Sequence, residues 1–73
     1  MGKKITRDQE LIQDISTEMG WLQIKAAQRS LSSNWYHYRY IWMLISELSN
    51  DSDRLRHFTM LGIIADKFNI HNP

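Results

Sequence analysis

Apolar residues recur at helical spacing along the chain, in four blocks separated by Gly20, by Ser32 to Asn34 and by Asn50 to Ser52. In the first block Leu11, Ile12, Ile15 and Met19 share one side, while Asp8, Glu10, Gln13, Asp14, Thr17 and Glu18 occupy the other. That pattern predicts an amphipathic helix over about Arg7 to Met19. Thr6, with Gln9 three residues later, is the capping-box arrangement, and Asp8 and Glu10 in the first turn suit the helix dipole.

Angles decide where this helix should stop. At about 100° per residue, Leu11, Ile15, Met19 and Leu22 fall in one arc, whereas Trp21, Ile24, Ala27 and Leu31 lie about 100 to 180° from its centre. A single straight helix would change its buried face halfway, so a break is expected at Gly20, the usual glycine position past a helix C-terminus. A second helix then runs from about Trp21 to Ser32, with Lys25 and Arg29 on its outer side. Two helices around a glycine invite a helix-turn-helix comparison, for which Ile15 and Met19 suit the apolar positions before the turn. Arg29, however, falls where the motif needs a buried residue, and Trp21, Leu22 and Ile24 stand where a DNA-reading helix carries basic and polar side chains.

The third block, Asn34 to Ser49, holds five of the eight aromatic residues. Ser32, Ser33 and Asn34 are good N-caps before it. One face collects Trp35, Tyr38, Ile41, Trp42, Ile45 and Leu48, enough for a core, yet Tyr36, Tyr40, Met43 and Leu44 occupy the opposite side. A helix apolar on two sides is either sandwiched in a bundle or committed to a partner.

In the fourth block Asn50, Asp51 and Ser52 cap a helix over about Asp53 to Phe68. Leu55, Phe58, Leu61, Gly62, Ala65 and Phe68 form its expected core stripe, with Gly62 and Ala65 small enough to admit another helix closely. Met60, Ile63 and Ile64 make a second apolar row. The segment Ile64 to Ile70 resembles the first helix and turn of a helix-turn-helix with Asn69 in place of the glycine; with no recognition helix expected after it, the likeness reduces to a helix ending at an asparagine that tolerates αL.

Together these blocks predict an all-α fold, a small bundle of three to four short helices with a central aromatic-rich helix. The 73 residues make one domain, 1–73, with 1–6 a flexible N-terminus and 69–73 a C-terminal tail. A chain this short buries only about 60% of its unfolded surface. Without cysteine for a disulfide, and with three scattered histidines as the only imidazole ligands, self-association is the cheapest added stabilisation, so a homodimer is expected. A composition of 42% hydrophobic and 23% charged residues with net charge +1 is that of a globular protein, and argues against polyanion binding by bulk charge alone.

The longest unbroken apolar run, Tyr40 to Ile45, is far below the roughly 20 residues that cross a bilayer, so no membrane span is expected. Lys3 and Lys4 are followed by no unbroken apolar stretch of a secretory signal, and lack of cysteine fits a reducing compartment; a cytoplasmic protein is expected. The opening MGKKIT fits the loose myristoylation pattern at Gly2, although a lysine directly after that glycine is a poor context.

Candidate chemistry is sparse. There is no phosphate-binding glycine loop, no zinc-protease motif and no cysteine nucleophile, and most serines sit at helix ends where capping accounts for them. Asp51 and Asp53 lack the further oxygen ligands and turn glycine of a calcium loop. No catalytic residue, cofactor, metal or small-molecule substrate is therefore expected. Seven large apolar residues remain once each helix has one core face: Tyr36, Tyr40, Met43, Leu44, Met60, Ile63 and Ile64. They are the expected interface of a small protein-binding adaptor, inhibitor or regulator acting on itself or another protein. The alternative is a small DNA- or RNA-binding regulator. Residues 20–46 carry Lys25, Arg29 and Arg39 without an acidic residue and are rich in aromatics, but about three phosphate contacts would bind weakly.

Overall fold

The computed structural model describes residues 6–29 and 32–73, which form three α-helices, α1 (Arg7–Gln28), α2 (Ser32–Ser46) and α3 (Asp51–Lys67). No strand occurs among the described residues, and the chain is all-α. The modification considered at Gly2, all but Thr6 of the flexible N-terminus expected over 1–6, and Leu31 lie outside the described residues.

α1 begins where its capping residues predict. The Thr6 hydroxyl accepts the Gln9 backbone N–H at 3.2 Å, and the Gln9 side chain accepts the Thr6 N–H at 2.9 Å. Its end differs from the expectation, because the break at Gly20 does not occur. Leu11, Ile15, Met19 and Leu22 are all buried on one continuous stripe, so the helix that runs through Gly20 keeps Leu22 in the core. Glycine inside a helix costs about 1 kcal/mol, and a fully buried leucine contributes about 2 kcal/mol, so continuation wins. Trp21 and Ile24, whose burial the break would have served, remain on the outer side. Without a turn at Gly20, no helix-turn-helix exists there.

α2 also departs from its expected boundaries and face. It starts at Ser32, so Asn34 is no cap but a buried residue of the first turn, its Nδ2 donating to the Arg29 carbonyl at 2.9 Å. It ends at Ser46, where two backbone bonds of i to i+3 type, Glu47 to Leu44 and Leu48 to Ile45, tighten the chain and drop Leu48 into the core. Ile41, Ile45 and Leu48 are buried as expected. Trp35 and Tyr38 are half-buried and stacked on each other at 5.2 Å, while Trp42, placed in the core by the sequence pattern, is exposed.

α3 is capped by Asn50, whose side chain accepts the Asp53 N–H at 2.9 Å. Its buried line is His57, Leu61 and Ile64, flanked by Phe58 and Phe68, which is rotated about 70° from the predicted stripe. Leu55 is left exposed, and Ile64, counted in the outer row, belongs to the core. His57 tolerates burial because its Nδ1 lies 2.7 Å from the Asp53 carbonyl. Gly62 admits no close neighbour, since a Cβ built there would meet nothing within 4 Å. The helix ends as its sequence predicts. Asn69 adopts φ 54, the Ile70 and Asn69 N–H groups return to the Ala65 and Asp66 carbonyls, and Ile70 packs back on the core, so the C-terminal tail begins anchored.

α2 packs on both α1 and α3, which scarcely touch each other, giving an elongated body of 45 × 23 × 16 Å. Contacts between distant residues set the directions. Arg7 pairs with Glu47 at 2.8 Å and Glu18 with His37 at 2.7 Å, so α1 and α2 are antiparallel. Trp42 of α2 meets Phe58 of α3 with ring centroids 5.2 Å apart. No described helix is long and apolar enough to cross a membrane.

Candidate interaction surface

The outward face of α2 follows from its inward one. Relative to the direction of Ile41 and Ile45, the side chains of Trp42, Tyr40, Arg39, Tyr36 and Met43 lie about 80 to 180° around the helix. Tyr36, Met43, Tyr40 and Trp42 are accordingly 64%, 58%, 50% and 48% exposed. Trp35, Tyr38, Arg39, Trp42 and Met43 line an open groove of about 310 Å³ along this helix. The stacked pair Trp35 and Tyr38 stiffens one wall and the Trp42 contact with Phe58 the other. Arg39 is the single charged residue among these side chains, and among the described residues it forms no ion pair.

Five of the seven expected interface residues, Tyr36, Tyr40, Met43, Met60 and Ile63, are exposed. The other two turn inward. Leu44 is half-buried against the core on the side of α2 that carries His37, and Ile64 is buried within the core. The exposed five do not make one face across two helices. Phe58, which contacts Trp42, stands about 70° to one side of the inward line of α3, whereas Met60 stands about 90° to the other. Met60 and Ile63 thus point away from the α2 groove, and the candidate surface contracts to α2.

Two tryptophans missed as surface residues enlarge it. Trp42 lies in the groove itself. Trp21 follows Glu18 by one turn, and Glu18, through its bond to His37, marks the edge of α1 that borders α2. Tyr40 and Tyr36 stand beyond His37 on the same side of the hairpin, so Trp21 and the two tyrosines share its outer surface. The signal for Trp21 was present in the sequence as the arc of Leu11, Ile15, Met19 and Leu22, which already ran unbroken past Gly20.

The basic residues proposed for nucleic acid are all exposed but are not gathered. Lys25 is in the last turn of α1 and Arg29 is its C-cap, whereas Arg39 lies two turns into α2, roughly 10 Å further along the bundle. Among the described residues the three histidines do not converge, although Ser32 and His71 line one cavity of about 200 Å³. His37 meets Glu18, His57 the Asp53 carbonyl and His71 the Asn72 carbonyl, while Ser46 and Ser49 donate to the Trp42 carbonyl and to Asp8.

At the other end of the hairpin, the Asp8 carboxylate receives the Ser49 N–H at 3.0 Å, the Ser49 hydroxyl at 2.8 Å and the Asn50 N–H at 3.2 Å. These bonds, with the neighbouring Arg7, hold its pKa below the usual 3.8, against the opposing effect of desolvation. The cluster fixes the turn between α2 and α3, a structural task. Compared with known proteins, the chain matches no family model, no curated protein and no solved structure, so function is argued from this surface.

Proposed function

We propose that the chain is a small non-catalytic protein-binding module, an adaptor, inhibitor or regulator, whose working surface is the outer face of α2 with Trp21 beside it. The observation that carries this proposal is the composition of the exposed strip. Trp42, Tyr36, Tyr40, Arg39 and Met43 are of the residue types enriched at protein interfaces, and Trp, Tyr and Arg are those over-represented among the residues that dominate binding energy. Lys, Asp and Glu, which interfaces disfavour, are absent from the middle of the strip. Purifying the protein from its native host with and without Tyr40→Glu tests the proposal. The wild type is expected to retain a protein partner, itself or another, that the variant loses at unchanged helical circular dichroism. Identical retention by both would overturn it.

A second reading rests on Arg39 standing among aromatic rings, which also suits stacking of single-stranded nucleic acid. One cation on the face neutralises about one phosphate, so affinity would be low and strongly salt-dependent. Fluorescence anisotropy with mixed single strands and duplexes at low salt decides it. Absence of binding at tens of micromolar protein rejects this reading.

A further inference from the structure

We infer that the occupant of the α2 face is a second copy of this chain, docked about a two-fold axis with the two α2 helices antiparallel. The inference rests on the protein-binding reading and specifies its partner. Three observations point to a partner that is always present. Among the described residues nine large apolar side chains are buried, six more pack half-buried against them and nine others remain exposed, so the three-helix body leaves a large share of its apolar surface outside its core. α1 and α3 scarcely touch, and no cysteine cross-links the chain. Small domains short of core are commonly completed by oligomerisation, and only the chain itself is available wherever the chain is made.

Area and charge place the contact on α2 rather than α3. Tyr36, Arg39, Tyr40, Trp42 and Met43 with Trp21 offer roughly 600 Å² per copy, which doubled reaches about 1,200 Å², the lower bound of specific interfaces. On α3 the exposed Met60 and Ile63 are interleaved with Arg56, Asp66 and Lys67, charges that a dry interface would have to desolvate. On α2 the only such charge is Arg39, and a guanidinium can lie over a tyrosine or tryptophan ring of the facing copy without a carboxylate partner. A two-fold axis across the strip brings the same aromatic face of each copy onto the other, the self-complementary contact that closes a dimer.

Sedimentation equilibrium and thermal unfolding of the full chain over a range of concentrations test the inference. The wild type is expected at twice 8.7 kDa, with a midpoint that rises with concentration. Tyr40→Glu is expected to halve the mass and abolish that rise, whereas Ile63→Glu leaves both unchanged. Should Tyr40→Glu fail to fold by circular dichroism, Met43→Lys takes its place. A wild type that is monomeric at tens of micromolar overturns the inference, as does a dimer that survives both α2 substitutions. A monomeric wild type whose host partner is still lost on Tyr40→Glu removes the dimer alone, and one whose retention is also unaffected removes the protein-binding reading with it.

Discussion

Asp8 shows how one side chain of α1 governs a turn more than forty residues away. Its carboxylate gathers the Ser49 and Asn50 N–H groups and the Ser49 hydroxyl, and the lowered pKa that results ties stability to pH. Because the native pKa lies below the unfolded value of 3.8, the bonds contribute fully above that value, and the contribution is lost as pH falls through the native pKa. Asp8→Asn is therefore expected to lower the thermal midpoint at neutral pH and to shrink the further drop between neutral pH and about pH 3, followed by circular dichroism. His37 and Glu18 form the corresponding tie between α1 and α2 at mid-hairpin. Glu18→Ala removes a bond to a largely buried imidazole and is expected to cost about 1 kcal/mol in denaturant unfolding.

At the scale of the element, the caps of α1 and α3 were legible, whereas the end of α1, the bounds of α2 and the helix faces were less so. Thr6 with Gln9, Asn50 ahead of Asp53, and Asn69 in αL all act where local chemistry predicts, because a cap depends on a few adjacent residues. Faces depend on which neighbour each helix meets. α3 turned His57 and Ile64 inward and Leu55 outward, a rotation that periodicity could not resolve because apolar residues surround much of that helix. Both helical glycines lie in open space, so Gly20→Ala and Gly62→Ala are each expected to stabilise the fold by about 0.5–1 kcal/mol. A destabilising Gly20→Ala in denaturant titration would contradict the continuous α1.

For the whole molecule, α2 carries the packing of both other helices, so its inward residues have no spare support. Ile41 is fully buried, and Ile41→Ala is expected to cost about 2–5 kcal/mol, enough to unfold a domain of this size at room temperature. Far-ultraviolet circular dichroism at low concentration reads the loss. The same central position explains why only one side of α2 is left for a partner. α1 and α3 flank the core side, and the strip from Trp35 to Met43 is the remainder.

By itself the sequence determined that the chain is helical, that Thr6, Asn50 and Asn69 cap α1 and α3, that α2 holds more apolar surface than one core face needs, and that Tyr36, Tyr40 and Met43 belong to the excess. Those properties follow from spacing and local hydrogen bonding, which neighbouring residues fix. Tertiary structure alone decided that α1 continues through Gly20, that Leu44 and Ile64 are covered, and that Trp21 and Trp42 are not. Each of these turned on how three helices share a limited core, where burying Leu22 outweighed a glycine penalty and where the α2 direction that faces α3 left Trp42 at the rim.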